Sequence, residues 1–165
     1  MTECAAHLVD HVLPRVPVRQ WVLSLPYRLR YLLAWNHDLC RGILGVYARA
    51  LLSFQRGRAQ QSGVRDSRSG CVTVIQRFGG GLNLNVHFHT LVFDGVFTED
   101  KHQPLRFQPT QPPTDEEVGR LLAIIATRVR RLLRRRGLDA EADVTPADAI
   151  AEESPALADI SSASI

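Results

Sequence analysis

His87-Phe88-His89 is the sharpest chemical feature of the sequence. It lies in Leu84 to Phe97 (LNVHFHTLVFDGVF), an apolar run rich in strand-forming residues, with a turn signal at Asp94-Gly95. Side chains alternate faces along a strand. His87 and His89 therefore share one face, while Phe88 points to the other and anchors a core. Two neutral imidazoles at that spacing can share a divalent cation. A complete centre needs a third ligand, or two ligands plus substrate. Two histidines on a half-exposed strand face satisfy the same spacing with no metal.

The third ligand has one good candidate. Cys71 to Phe78 (CVTVIQRF) is a second β-branched run, and Gly79-Gly80-Gly81 links it to the first. The two read as an antiparallel hairpin. With the link centred near Gly81 and Leu82, Gln76 faces His87. A slip of one residue would turn Gln76 to the other face, and a Gln that only caps nearby polar groups is the competing role. Asp94 is a weaker candidate, because its parity puts it on the face of Phe88. His37 is remote and belongs to a solvated helix surface. The three glycines lack the Lys-Ser/Thr ending and the following helix of a phosphate loop, so a flexible hairpin link is their expected role.

Charge supplies the second feature. The 165 residues carry a formal net charge of +3, which hides a split. All 20 basic residues and 10 acids fall in residues 1–136; residues 137–165 hold 7 acids and no base. Arg128, Arg130, Arg131, Arg134, Arg135 and Arg136 crowd one helix end. Such repulsion is relieved by an anion, and nucleic-acid phosphates are a natural partner. A solvated face helped by the helix dipole, or pairing with the acidic tail, explains the run equally well. Arg15, Arg19, Arg28 and Arg30 form a second basic cluster. Trp21, Tyr27, Tyr31 and Trp35 lie near it in sequence and can stack bases unless they are core.

The elements that must position these groups give an α+β fold. An antiparallel sheet containing 20–25, 71–78 and 84–97 is covered by two main helices near 27–58 and 114–136. In the first helix Leu32, Trp35, Leu39, Ile43, Val46, Ala50 and Phe54 recur at helical spacing. Gly42 and Gly45 weaken its middle, where a kink or a division is expected. Thr114 and Glu117 form a capping-box pattern for the second helix, and Gly137 ends it. Residues 61–70 and 98–113 read as polar connections. Residues 138–165, rich in Ala, Asp, Glu and Ser, read as a disordered acidic tail. The expected division is a domain over 1–137 and a tail over 138–165. Cys4, Cys40 and Cys71 form no disulfide framework, and neither a membrane span nor a secretory leader is visible, which points to the cytoplasm.

The runs VPVRQWVLSLPYRLRYLLAWN (16–36) and VTVIQRFGGGLNLNVHFHTLVFDGVF (72–97) closely resemble the HUH transposases of rolling-circle insertion sequences, in particular the two-tyrosine family of insertion sequence ninety-one. The resemblance implies a protein that nicks and transfers single-stranded DNA. It implies a divalent cation, Mg²⁺ or Mn²⁺, on His87 and His89, and a tyrosine nucleophile downstream of that strand. Here Tyr27, Tyr31 and Tyr47 all lie upstream, and no cysteine pairs of the family's zinc-binding module are present. The resemblance therefore implies an internal fragment with a metal strand and no nucleophile, and a sheet edge left open to self-association. Such a chain is expected not to nick DNA unaided. Incubation with labelled single-stranded origin DNA and Mn²⁺ checks this, and a covalent adduct on Tyr27 or Tyr31 would overturn it.

Overall fold

β-branched and aromatic runs pair where the sequence places them. In the computed structural model, which describes residues 6–79, 83–100 and 103–138, β1 (Val18–Ser24), β3 (Cys71–Phe78) and β4 (Leu84–Phe93) form an antiparallel sheet in the order β1-β4-β3. The acidic tail from residue 139, Cys4 and the hairpin residues 80–82 lie outside the described residues. The hairpin has the expected register: Gln76 pairs with His87, Val74 with His89 and Val72 with Leu91. β1 adds a row on the other side, with Ser24 opposite His87 and Val22 opposite His89.

Alternation then sorts the two faces. Leu23, Val86, Phe88, Thr90 and Val92 are buried on one side. There they join a core built with Leu39, Ile43, Tyr47 and Leu51 of the helical layer. Phe88 is 0% exposed and stacks on Tyr47, with ring centroids 6.1 Å apart. The opposite face is open among the described residues: Val22 is 52% exposed and Val74 57%.

The helical layer differs from the sequence expectation at one point. The run near 27–58 is two helices, α1 (Tyr27–Trp35) and α2 (His37–Gln61), and the division falls at Asn36. The Asn36 side chain accepts from the Leu39 backbone N–H at 2.9 Å, an N-cap that restarts the helix. The apolar stripe breaks there as well. Leu39, Ile43, Val46 and Ala50 are buried, but Leu32 and Trp35 are exposed. α2 runs unbroken through Gly42 and Gly45. Gly42 instead serves close packing, since a Cβ there would lie 3.1 Å from side-chain atoms of Leu132 and Arg136.

α3 (Asp115–Arg135) lies against α2 with Leu121, Ile125, Val129 and Leu133 buried. Its capping box is formed: the Glu117 N–H donates to Thr114 Oγ1 and the Thr114 N–H donates to the Glu117 carboxylate. Arg58 of α2 pairs with Glu117 at 3.2 Å and also donates to the Pro112 carbonyl, fixing where α3 begins. Accepting from the Thr114 backbone, with Arg58 nearby, holds the Glu117 carboxyl below its ordinary range. No helix of the described residues is long and apolar enough to cross a membrane.

The stretch from 84 to 97 is not one strand. β4 ends at Phe93, and the chain passes Asp94 into β5 (Gly95–Asp100) of a second sheet, ordered β2-β5-β6 with β2 (Ser67–Arg68) and β6 (Gln103–Pro109). β6 and the short β2 correct the two polar connections read at 98–113 and 61–70. Among the described residues β6 is an edge strand, where Pro109 is tolerated because that edge need not donate. Phe107 packs on Phe97 at 5.2 Å and Phe97 on Phe93 at 5.5 Å, so tertiary packing overrides a composition that reads as loop. Gly95 is needed at the crossing: a Cβ there would sit 2.3 Å from the Gln108 carbonyl oxygen. Buried Gln55 of α2 donates to the Phe93 carbonyl at 3.1 Å, holding the last turn of β4 at this bend.

If the faces divide as described, Phe88→Ala destabilises the fold by about 3–5 kcal/mol, the cost of emptying a filled aromatic site. Val74→Ala on the open face of the adjacent strand costs within about 0.5 kcal/mol. Denaturant midpoints of the two variants measure the difference.

Candidate metal centre

β4 presents His87 and His89 from the middle of the sheet, with rings 4.8 Å apart between centroids and inclined at 61°. His87 is buried and His89 half-buried, each hemmed by its row neighbours on β1 and β3. One row reads Ser24–His87–Gln76 and the next Val22–His89–Val74. The rows come from the pleat and the register together, and each imidazole occupies the central position of its row.

The ring nitrogens are already divided between roles. His87 Nδ1 lies 2.6 Å from the Asn85 carbonyl oxygen. A carbonyl only accepts, so Nδ1 carries the proton and Nε2 keeps its lone pair. His89 Nδ1 lies 2.8 Å from the Gln20 side-chain amide. If the amide N–H₂ donates, the imidazole proton sits on Nε2; with the amide turned over, Nδ1–H donates to Oε1 and Nε2 is free to ligate. His89 Nε2 is buried and has no hydrogen-bond partner. An orphaned buried nitrogen beside a second imidazole suits a metal ligand.

Gln76 completes the row as its register requires. Its Nε2 donates to the Phe78 carbonyl at 3.0 Å, where the strand pairing slips between Gln76 and Phe78. That bond commits the amide nitrogen and turns Oε1 into the atom Gln76 can offer a cation. Among the described residues no group of three His, Cys, Asp or Glu converges that could hold a metal ion. The groups this face could offer a cation are two imidazoles and one amide oxygen.

The other sequence candidates separate. Asp94 is occupied by Arg19, whose Nε and Nη2 reach its two oxygens at 3.2 and 2.7 Å. This bidentate pair joins β1 to the bend after β4, and it makes Arg19 a structural residue rather than part of a free basic cluster. His37 is exposed at the start of α2, as expected, and its Nδ1 lies 3.0 Å from Arg77 Nη2. Arg128, Arg130, Arg131, Arg134, Arg135 and Arg136 are all exposed on or just beyond α3, which packs against α2. Arg28 and Arg30 are half-buried on α1, and Arg30 Nε donates to the Leu25 carbonyl. The two arginine groups therefore stand on different helices. Tyr47 is a core residue: burial pushes its hydroxyl up to about 12.

Gln20 is the site residue that sequence reasoning missed. Nothing in the sequence sets the register of β1 against β4, because no short turn joins them. Only the folded sheet makes Gln20 the diagonal neighbour of His89 on the same face.

Burial, and then the neighbouring His87, hold the His89 pKa below its ordinary value of 6.5. The folded chain therefore resists protonating His89. Its contribution to stability is complete above the unfolded value and is lost as the pH falls through the lower folded value. From about pH 7 to about pH 5, wild type should lose more stability than His89→Gln, which cannot titrate there. Denaturant midpoints across that range give the comparison.

Residues 70–153, about half of the chain, match a protein-family model described as "Putative transposase". The matched stretch includes β3 to β6 and α3, hence both histidines, Gln76 and the arginine-rich helix. No curated protein matched the chain, and no solved structure did. With the match running through the strand that carries the histidine pair, the chain belongs to this transposase family.

Proposed function

We propose that this chain is a single-stranded-DNA-binding transposase of the two-tyrosine HUH kind, holding a divalent cation on His87, His89 and Gln76. One observation carries the reading: both imidazoles have Nδ1 engaged, and they stand in the central strand beside a glutamine whose amide nitrogen is engaged as well. With the Gln20 amide turned so that its Oε1 accepts from His89 Nδ1–H, Nε2 of each ring and Oε1 of Gln76 are the atoms left to offer a cation.

A bound cation supplies Lewis-acid polarisation of a phosphate oxygen. The protein's own part is to fix the ligands. Asn85 orients His87, Gln20 orients His89, and the depressed pKa of His89 keeps its lone pair available near neutral pH. Imidazole nitrogen favours Mn²⁺ over Mg²⁺, so Mn²⁺ is the better fit of the two. The six exposed arginines from Arg128 to Arg136 hold the phosphate backbone without reading sequence. We assign no nucleophile to Tyr27, Tyr31 or Tyr47.

Those arginines also favour a second reading, a non-catalytic nucleic-acid-binding protein that needs no metal. Mn²⁺ titration by calorimetry or electron paramagnetic resonance separates the two. On the first reading His87→Ala abolishes binding and Gln76→Ala weakens it by about tenfold or more, the scale set by a lost partner at a metal site. Wild type that binds no Mn²⁺, with DNA affinity unchanged in His87→Ala, favours the second. On either reading, replacing Arg130, Arg131 and Arg134 with Gln lowers DNA affinity and flattens its salt dependence by about one unit of slope per lost phosphate contact.

A further inference from the structure

α1 carries its aromatic residues on the wrong side for a core. Leu33 and Ala34 are buried, and Leu29 packs against the core from one turn earlier. Tyr27, Tyr31 and Trp35 recur every four residues and stand two positions from Leu29 and Leu33, which is about half a turn around the helix. They are 58, 55 and 75% exposed. A solvated helix face is normally polar, so a row of three bare rings marks a contact surface.

We propose that this row is a stacking platform for the bases of a single DNA strand on its way to the histidine face; the inference rests on the DNA-binding reading above. Successive positions in the row rise about 6 Å along the helix axis. That is close to twice the ~3.4 Å spacing of nucleotides along a strand, which leaves room for one base between neighbouring rings. Every base offers a π-face, so the platform tolerates any sequence.

Charge favours a nucleic acid over an apolar protein partner. α1 itself, Tyr27–Trp35, carries two arginines, Arg28 and Arg30, and no acid. The platform is also placed to serve the site. α1 starts after Ser24, which shares a row with His87 and Gln76, and only Leu25 and Pro26 intervene. At its other end, Arg77, the residue after Gln76, donates to the Ala34 carbonyl at 3.2 Å. Both ends of the aromatic row are thus tied to the end of the sheet that holds the first histidine.

The test compares two oligomers of equal length, oligo-dT and an abasic strand with the same phosphates, in EDTA so that metal plays no part. Wild type should bind oligo-dT more tightly, with quenching of Trp35 fluorescence in a Trp21→Phe background. The exposed-site variant Tyr31→Ser/Trp35→Ser should lose about ten- to several-hundredfold for oligo-dT and little for the abasic strand. Circular dichroism and an unchanged thermal midpoint confirm its fold. Equal affinity of the variant and wild type for oligo-dT overturns the platform while leaving the DNA-binding reading intact. So does a self-association, seen by sedimentation, that the variant abolishes without changing oligo-dT affinity, since the row is then a contact between copies. A wild type that binds neither oligomer overturns both readings.

Discussion

The alternation of β4 is the constraint on which the rest depends. As the central strand of β1-β4-β3 it is hydrogen-bonded on both sides and free to differ only between its two faces. Phe88 and its neighbours Val86, Thr90 and Val92 are committed to the core, so His87 and His89 have no choice of face. Among the described residues the helices cover the Phe88 face, and the imidazoles lie on the other, with His87 buried and His89 half-buried. A one-residue slip in register would bury both histidines and expose Phe88. The stability of the core is therefore also what aims the candidate ligands.

Much of this was legible because it is local. Phe88 opposite the histidine face, Gln76 across from His87, and the Thr114–Glu117 cap all follow from periodicity or from one short connection. The missed features depend on partners distant in sequence. Gln20 reaches His89 only through the β1–β4 register. β6 is a strand because β5 and the Phe93–Phe97–Phe107 cluster make it one, against its prolines. The helix break falls away from the glycines for a different reason. Propensity marks Gly42 and Gly45 as weak points, whereas Gly42 answers to the approach of α3, and the capping chemistry of Asn36 decides the break.

The same break explains the faces of the two helices. A continuous helix through residue 36 would carry Leu32 and Trp35 on the stripe of Leu39 and Ile43. Restarting at Asn36 uncouples the two, so α2 buries its stripe while α1 turns its aromatic row outward. Arg77 then joins the two sides of the break, through the Ala34 carbonyl and His37. The residue carrying these bonds follows Gln76 in β3, so the helix break and the candidate ligand row are held by one strand.

The chemistry of the open face gives a reason for separating site from charge. Gln20, Val22 and Ser24 of β1, Val72, Val74 and Gln76 of β3, and His87, His89 and Leu91 of β4 share it, and none carries a formal charge when the imidazoles are neutral. A cationic side chain there would repel a divalent ion and push the imidazoles further from protonation. A carboxylate would raise the cation's affinity, but it would oppose an approaching phosphate and spend part of the ion's charge before substrate arrived. On the proposed reading, three ligands without a formal negative charge would leave that charge to be matched by the phosphate itself. The arginines that would attract the strand then belong elsewhere, and the fold puts them on the helices. On the proposed reading, weak metal binding without DNA is a consequence of the donor set, and the phosphate acts as the missing anionic ligand.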